Sequence, residues 1–145
     1  MTIPVITLWQ PWATLIALGW KRIETRTHNR FRNLEGQTIG IHAGNKWDSG
    51  WSFLAGNFLT NEQYTLIMKM QAEKEMPFGK IICTGKVYTY RKLVSSDSEK
   101  ALIECDTERY GLFIYDIKKI EPPIEAKGKQ GIWYFDLSRK TKITK

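Results

Sequence analysis

The first 27 residues change hydrophobic period twice, and this rhythm limits what the chain can become. Val5 to Leu8 reads as a short strand. Pro11 then opens a helix whose apolar residues are Trp12, Leu15, Ile16 and Leu18. Proline suits a first helical turn, where an N–H has no partner to lose, and Gly19 supplies the natural stop. Arg22 to Thr27 returns to alternation, with Ile23 and Thr25 on one face and Arg22, Glu24 and Arg26 on the other. So short a helix between two strands must be mostly buried against them.

The remaining segments keep this pace. Gln37 to Ala43 reads as a strand entering Gly44-Asn45-Lys46, and Trp47, Trp51, Phe53, Leu54 and Phe58 suggest a short aromatic-rich helix or packed loop. Thr60 and Gln63 form a capping box for a helix from about Asn61 to Glu75, with Tyr64, Ile67, Met68 and Gln71 along one side and its methionines as core filler. Lys80 to Tyr90 is strand-like, and Ser96 with Glu99 marks a second capping box. Tyr110 to Ile120 is a long β-type run ended by Pro122-Pro123, and Gln130 to Leu137 reads as a closing strand. Five or six strands and three or four short helices in mixed order give an α+β fold around a small curved or closed sheet. No repeat or low-complexity linker interrupts it. Residues 1–137 are expected to form one domain and residues 138–145, polar and lysine-rich, a disordered tail.

Length and composition agree: 145 residues with 42% hydrophobic content suit one domain with a sizeable core. No run approaches the roughly 18 apolar residues of a membrane span, and the N-terminus lacks the basic region of a signal peptide, so a cytoplasmic protein without membrane contact is expected. Cys83 and Cys105 sit in no CxxC pattern and read as two ordinary buried thiols. The net charge of +7 is unevenly placed. Residues 1–46 carry six basic side chains (Lys21, Arg22, Arg26, Arg30, Arg32, Lys46) against Glu24 and Glu35. Residues 118–145 carry eight against three, and residues 47–117 carry eight against ten. Should the fold bring the two ends together, one positive face would result, as expected of a polyanion binder; the bland alternative is a solvated basic surface.

The segment from Gly19 to Arg26 (GWKRIETR) is the most informative. Lys21 is displayed where the helix turns into the strand, and Glu24 and Arg26 project from one side of that strand. Three arrangements are open. Glu24 can accept hydrogen bonds from an exocyclic amine while Lys21 and Arg26 meet phosphate or carbonyl oxygens. Lys21 can act as a base of lowered pKa or as an electrophile. Or Glu24 and Arg26 simply form a same-face ion pair beside a solvated Lys21. Trp9, Trp20, Trp47 and Trp51 offer rings of which an exposed one could stack a base, whereas Trp12 and Trp133 are expected in the core. Arg30, Arg32, Lys46, Lys127 and Lys129 would supply phosphate contacts, each adding about 0.7 to the salt slope for a single strand.

His42, on a core-like strand, is expected to pack or hydrogen-bond at the edge of the site. Neither it nor His28 has partners at ligand spacing, so no metal is implied. The sequence has no P-loop, GxSxG or dinucleotide fingerprint, and no cofactor is expected.

Leu8-Trp9-Gln10-Pro11-Trp12-Ala13 through GWKRIETR, then IGIHAG at Ile39 to Gly44, Arg109-Tyr110-Gly111-Leu112, and the ending Lys127 to Trp133 together resemble the ASCH domain family, over nearly the whole chain from Leu8 to Asp136. The resemblance implies a PUA-like fold, a small β-barrel with helices packed on it, and a cleft beside the first helix edged by the GxKxxExR element. In that element Lys21, Glu24 and Arg26 match the motif Lys, Glu and Arg. The family is associated with RNA and in some members DNA binding; one branch removes the acetyl group of N4-acetylcytidine, and ribonuclease activity is ascribed to others. The acetylcytidine branch uses a Thr for catalysis at the position of Glu24, and its chains are shorter. Here Thr25, the neighbour, is expected on the opposite strand face. The expected partner is therefore RNA, another single-stranded nucleic acid or a modified nucleoside. Lys21 and Glu24 would be the catalytic groups if the protein is an enzyme, and a monomer or weak dimer is expected.

Overall fold

The computed structural model describes residues 1–138, which form six strands and four α-helices joined by short 3-10 turns. The strands are β1 (Thr2–Gln10), β2 (Ile23–Arg26), β3 (Thr38–Trp47), β4 (Lys80–Lys92), β5 (Tyr110–Glu125) and β6 (Trp133–Asp136). They build one mixed sheet in the order β2-β5-β4-β3-β1-β6. Only β1 and β3 are parallel, with Val5 opposite Gly40; the other neighbours run antiparallel. The sheet is barrel-like but not closed, since β2 and β6 remain its two edges.

The helices are α1 (Trp12–Ala17), α2 (Trp51–Ala55), α3 (Asn61–Ala72) and α4 (Ser98–Ala101). Helix α1 begins where expected. Its capping group, however, is the buried Gln10 side chain. Gln10 Oε1 accepts the Thr14 backbone N–H at 2.9 Å, and Nε2 donates to Thr14 Oγ1 and to the Pro77 carbonyl, both at 2.8 Å. At the other end Gly19 takes φ +81°, and the N–H groups of Trp20 and Lys21 both return to the Leu15 carbonyl. This left-handed turn satisfies helix-end acceptors and costs least with no Cβ.

Strand β1 contributes to two clusters because both its faces are covered. Ile6 and Leu8 join Ala13, Ile16, Ile39, Ile41, Leu112 and Ile114 inside the barrel, while Ile3 and Val5 meet Ile81, Ile124 and Trp133 on the other side. A third cluster holds Leu15, Trp51, Ala55 and Ile67 under α2 and α3. A fourth packs Ile23 and Phe113 against Leu93, Ala101, Ile103 and Cys105. Both cysteines are free and buried, as the sequence suggested.

Several expectations are corrected. The Thr60–Gln63 capping box is present, but Met68 is exposed and the buried residue of α3 is Ile67. The expected Ser96–Glu99 box does not form: α4 has no side-chain cap, and Asp97 instead caps the 3-10 turn before it, its Oδ2 accepting the Val94 N–H at 2.9 Å. Pro122-Pro123 does not end β5. Pairing with β4 skips from Lys119 opposite Cys83 to Ile124 opposite Ile81, so the prolines lie in an irregular stretch where no ladder N–H is required of them. The sheet is open where a closed one was among the expectations. The expected tail falls on residues of which 139–145 lie outside the described part.

Candidate functional site

A cleft of about 360 Å³ opens along the unpaired part of the sheet. Strand β6 pairs only with Thr2 to Val5, so Thr7 to Trp9 have no strand on that side. The edge strand β2 lies across the gap, and Thr7, Leu8 and Trp9 share the lining with Glu24, Thr25 and Arg26. Trp12, Lys21, Asp48, Leu54, Ile103 and Arg109 complete it. The cleft arises because neither edge of the sheet reaches far enough to close the barrel there.

Lys21 lies at the inner wall and is 2% exposed. Its Nζ donates to the Ala101 carbonyl and sits 5.0 Å from the centroid of the Trp12 ring. Burial pulls its pKa from 10.5 to about 8. The Glu24 carboxylate works against that drop, whereas the Arg109 and Arg26 guanidiniums add to it. Glu24 is itself nearly buried and pairs with Arg26 at 3.5 Å. The same-face ion pair is therefore real, but Lys21 beside it is not solvated. Arg26 lies over the Phe31 ring at 5.2 Å, and its Nε–H is buried without a hydrogen-bond partner. Such an orphan donor costs about 1–3 kcal/mol.

Asp48 orients the opposite wall. Its Oδ2 accepts the Trp12 Nε1–H at 2.8 Å and its Oδ1 the Gly50 N–H at 2.9 Å. These bonds fix the indole on which Lys21 rests. Arg109 leads into β5 and donates to Thr25 Oγ1 at 3.4 Å. Thr25 thus reaches the same cleft as its neighbours Glu24 and Arg26, contrary to the strand-face expectation. On an edge strand, the gap beside it is accessible to residues of both faces.

The candidate residues separate into three groups. Lys21, Glu24, Arg26 and Trp9 meet in the cleft, with Lys46 at its rim, its Nζ 5.3 Å from the centroid of the Trp9 ring. His42 stands one layer behind. Its Nε2 bonds the Ala126 carbonyl at 2.7 Å, its Nδ1 lies 3.2 Å from Thr7 Oγ1, and Trp133 Nε1 donates to that same hydroxyl at 3.0 Å. It therefore ties a cleft residue to the loop carrying Lys127 and Lys129. A Cβ on Gly128 would come within 2.6 Å of the His42 ring and 2.8 Å of Thr7 Oγ1, which shows how closely that loop is held. Lys127 and Lys129 themselves are exposed outside the lining. Arg30 and Arg32 are exposed in the loop around Phe31, away from the lining, and Trp20 packs under α3 with the third cluster. The lining therefore mixes signs, two carboxylates with three cations, and Glu24 is among them, as the sequence suggested. Trp12 is a half-buried wall of the cleft and not a core residue, while Trp133 is buried as expected.

Trp12, Asp48, Thr25 and Arg109 are among the cleft residues the sequence did not assign to it. Arg109 stood within the Arg109-Tyr110-Gly111-Leu112 element, the one signal that pointed toward it. Asp48 carried none, because its role depends on a turn that brings it to Trp12. Among the described residues no three His, Cys, Asp or Glu side chains gather as a metal site. No described helix is long and apolar enough to cross a membrane.

The architecture is an open α+β barrel with a charged cleft at its unpaired edge. No protein-family model matches the chain, and no curated protein matches it. Among solved structures, ASCH from Zymomonas mobilis is similar over 97% of this chain and 92% of its own, at 15% identity and a TM-score of 0.60. Two point variants of that protein match with TM-scores of 0.51 and 0.55, at 15% and 16% identity, over 97% of this chain and 93% and 95% of theirs. The chain has the ASCH fold.

Proposed function

We propose that this domain binds RNA, or another single-stranded nucleic acid, by holding one nucleotide in the cleft between β1 and β2. The observation that carries this reading is the convergence of Lys21, Glu24 and Arg26 with aromatic walls in a cleft of about 360 Å³. That volume lies at the low end of the roughly 300–1,000 Å³ of small-ligand sites, a size for one base and its sugar and not for a duplex. Glu24 is an acceptor suited to an exocyclic amine, and Arg26 and Arg109 are donors suited to phosphate oxygens. Arg26 has an N–H without a partner and gains from a ligand oxygen that lets the guanidinium turn. The exposed Arg30, Arg32, Lys127 and Lys129 would add screened contacts to a longer backbone.

Anisotropy of a labelled single-stranded RNA, titrated over a range of salt, tests the reading. Saturable binding with a steep salt slope is expected, weakened by Arg26→Ala and by the volume-conserving Lys21→Met, each checked for a cooperative melting transition well above the assay temperature. Full affinity in both variants would remove the cleft as the site.

A second reading is hydrolysis of a modified nucleoside such as N4-acetylcytidine, or of RNA itself. It is favoured by the amine of Lys21, whose lowered proton affinity leaves part of it neutral near pH 8, sharing a cleft with the Thr25 hydroxyl and Glu24. Product formed from N4-acetylcytidine or RNA and abolished in Lys21→Met would support it. No product at stoichiometric protein would dismiss it.

A further inference from the structure

The mouth of the cleft carries apolar surface that the fold leaves uncovered. Trp9, on the unpaired stretch of β1, is 50% exposed, and α2 presents Phe53 at 87% and Leu54 at 41%. Trp9 and Leu54 line the cleft, and Phe53, next to Leu54 on the same short helix, is exposed outside that lining. The charges around this surface favour an anion. Lys46 rests its ammonium against the Trp9 ring at 5.3 Å. Lys127 and Lys129 flank Gly128, which packs on Thr7 two residues before Trp9. The two carboxylates of the lining are already engaged, Asp48 by Trp12 and Gly50, and Glu24 by Arg26. Aromatic faces interleaved with cations and free of unpaired carboxylates are what a stacked base and its phosphate require, because every base has a π-face and each linkage carries a negative charge.

We propose that the ligand is a strand and not a lone nucleoside: the nucleotide next to the one in the cleft stacks at the mouth on Trp9 and Phe53, and Lys46 meets the phosphate that joins the two. The inference rests on the cleft reading and fixes the substrate class of that same site. A base arriving on Trp9 takes the ring face that Lys46 now covers, and the freed ammonium lies beside the incoming linkage.

Calorimetric titration with cytidine 5′-monophosphate and with a short oligocytidylate, on the wild-type protein, Phe53→Ala and Lys21→Met, tests this. The oligonucleotide is expected to bind more tightly than the monophosphate by about fivefold or more, the lower end of what one stacked base contributes. Phe53→Ala should remove that advantage while leaving monophosphate affinity unchanged, and Lys21→Met should weaken both ligands. Phe53 is so exposed that its truncation does not threaten folding. Equal affinity of wild type for the two ligands overturns the proposal, and so does an advantage that survives in Phe53→Ala; a protein segment would then be the better candidate for this surface. Unchanged binding of both ligands by Lys21→Met would instead overturn the cleft reading. No binding of either ligand would overturn both.

Discussion

Replacing Lys21 by Met should change how stability depends on pH, and the size of that change follows from the position of Lys21. In the unfolded chain this lysine keeps its proton up to about pH 10.5; in the fold, desolvation by burial lowers that to about 8. The difference corresponds to about 3 kcal/mol, at about 1.4 kcal/mol per pH unit. Below pH 8 both states hold the proton and the penalty is constant. Between 8 and 10.5 the unfolded state binds more protons than the folded one, so wild-type stability rises with pH. Relative to Lys21→Met, wild type should gain about 1.4 kcal/mol per unit, or about 2 kcal/mol from pH 8 to 9.5. Met is close to Lys in volume and cannot titrate, so the other ionisable groups cancel in the difference. Urea unfolding of both proteins at pH 7, 8, 9 and 9.5 measures it. A difference that stays flat across this range would refute the reasoning, because it would mean that Lys21 titrates as an ordinary lysine and is not held in a desolvated wall.

Three further outcomes are expected. A Cβ at Gly111 would lie 2.4 Å from Leu93 and 2.7 Å from Ile23, so Gly111→Ala should force β2 away from its neighbours, lowering stability by about 1–3 kcal/mol in urea melts and weakening ligand binding in parallel. Gln10→Ala leaves the Thr14 N–H and the Pro77 carbonyl without their buried partner and should cost about 1–3 kcal/mol in the same assay; a change under about 0.5 would show that water replaces the amide. His42 has its pKa lowered below 6.5, chiefly by burial, so the folded state resists its protonation and stability should fall as the pH drops below 6.5. His42→Gln should lose this acid sensitivity, which melting temperatures from pH 7 to 5 would reveal.

Much of the fold was legible because its signals are local. Pro11 and Gly19 bracket α1, the Thr60–Gln63 box starts α3, alternation marks β2 and strand-favouring residues mark β4, each a matter of neighbours a few residues apart. Reading failed where a distant partner sets the outcome. Met68 was placed inside by periodicity, but α3 fully buries only Ile67, with Tyr64 and Met70 packed partly against the same cluster. Pro122-Pro123 signals a strand end, yet β5 continues because the irregular pairing with β4 demands no N–H there. At the site, Lys21, Glu24 and Arg26 could be grouped from spacing on one helix-to-strand turn. Trp12, Asp48 and Arg109 could not, since they come from three other parts of the chain.

The sequence alone determined the alternation of short strands and helices, hence the α+β class, and it placed a lysine, a glutamate and an arginine around one turn. These are consequences of period, capping and backbone freedom, which act over a few residues. Only the tertiary structure decided that the sheet stays open, that the gap between β1 and β2 becomes a cleft, and that Lys21 is desolvated in its wall while Arg30 and Arg32 remain outside. Burial and electrostatic environment are set by whatever packs against a residue from elsewhere in the chain, and the spacing of residues along the sequence carries no record of that.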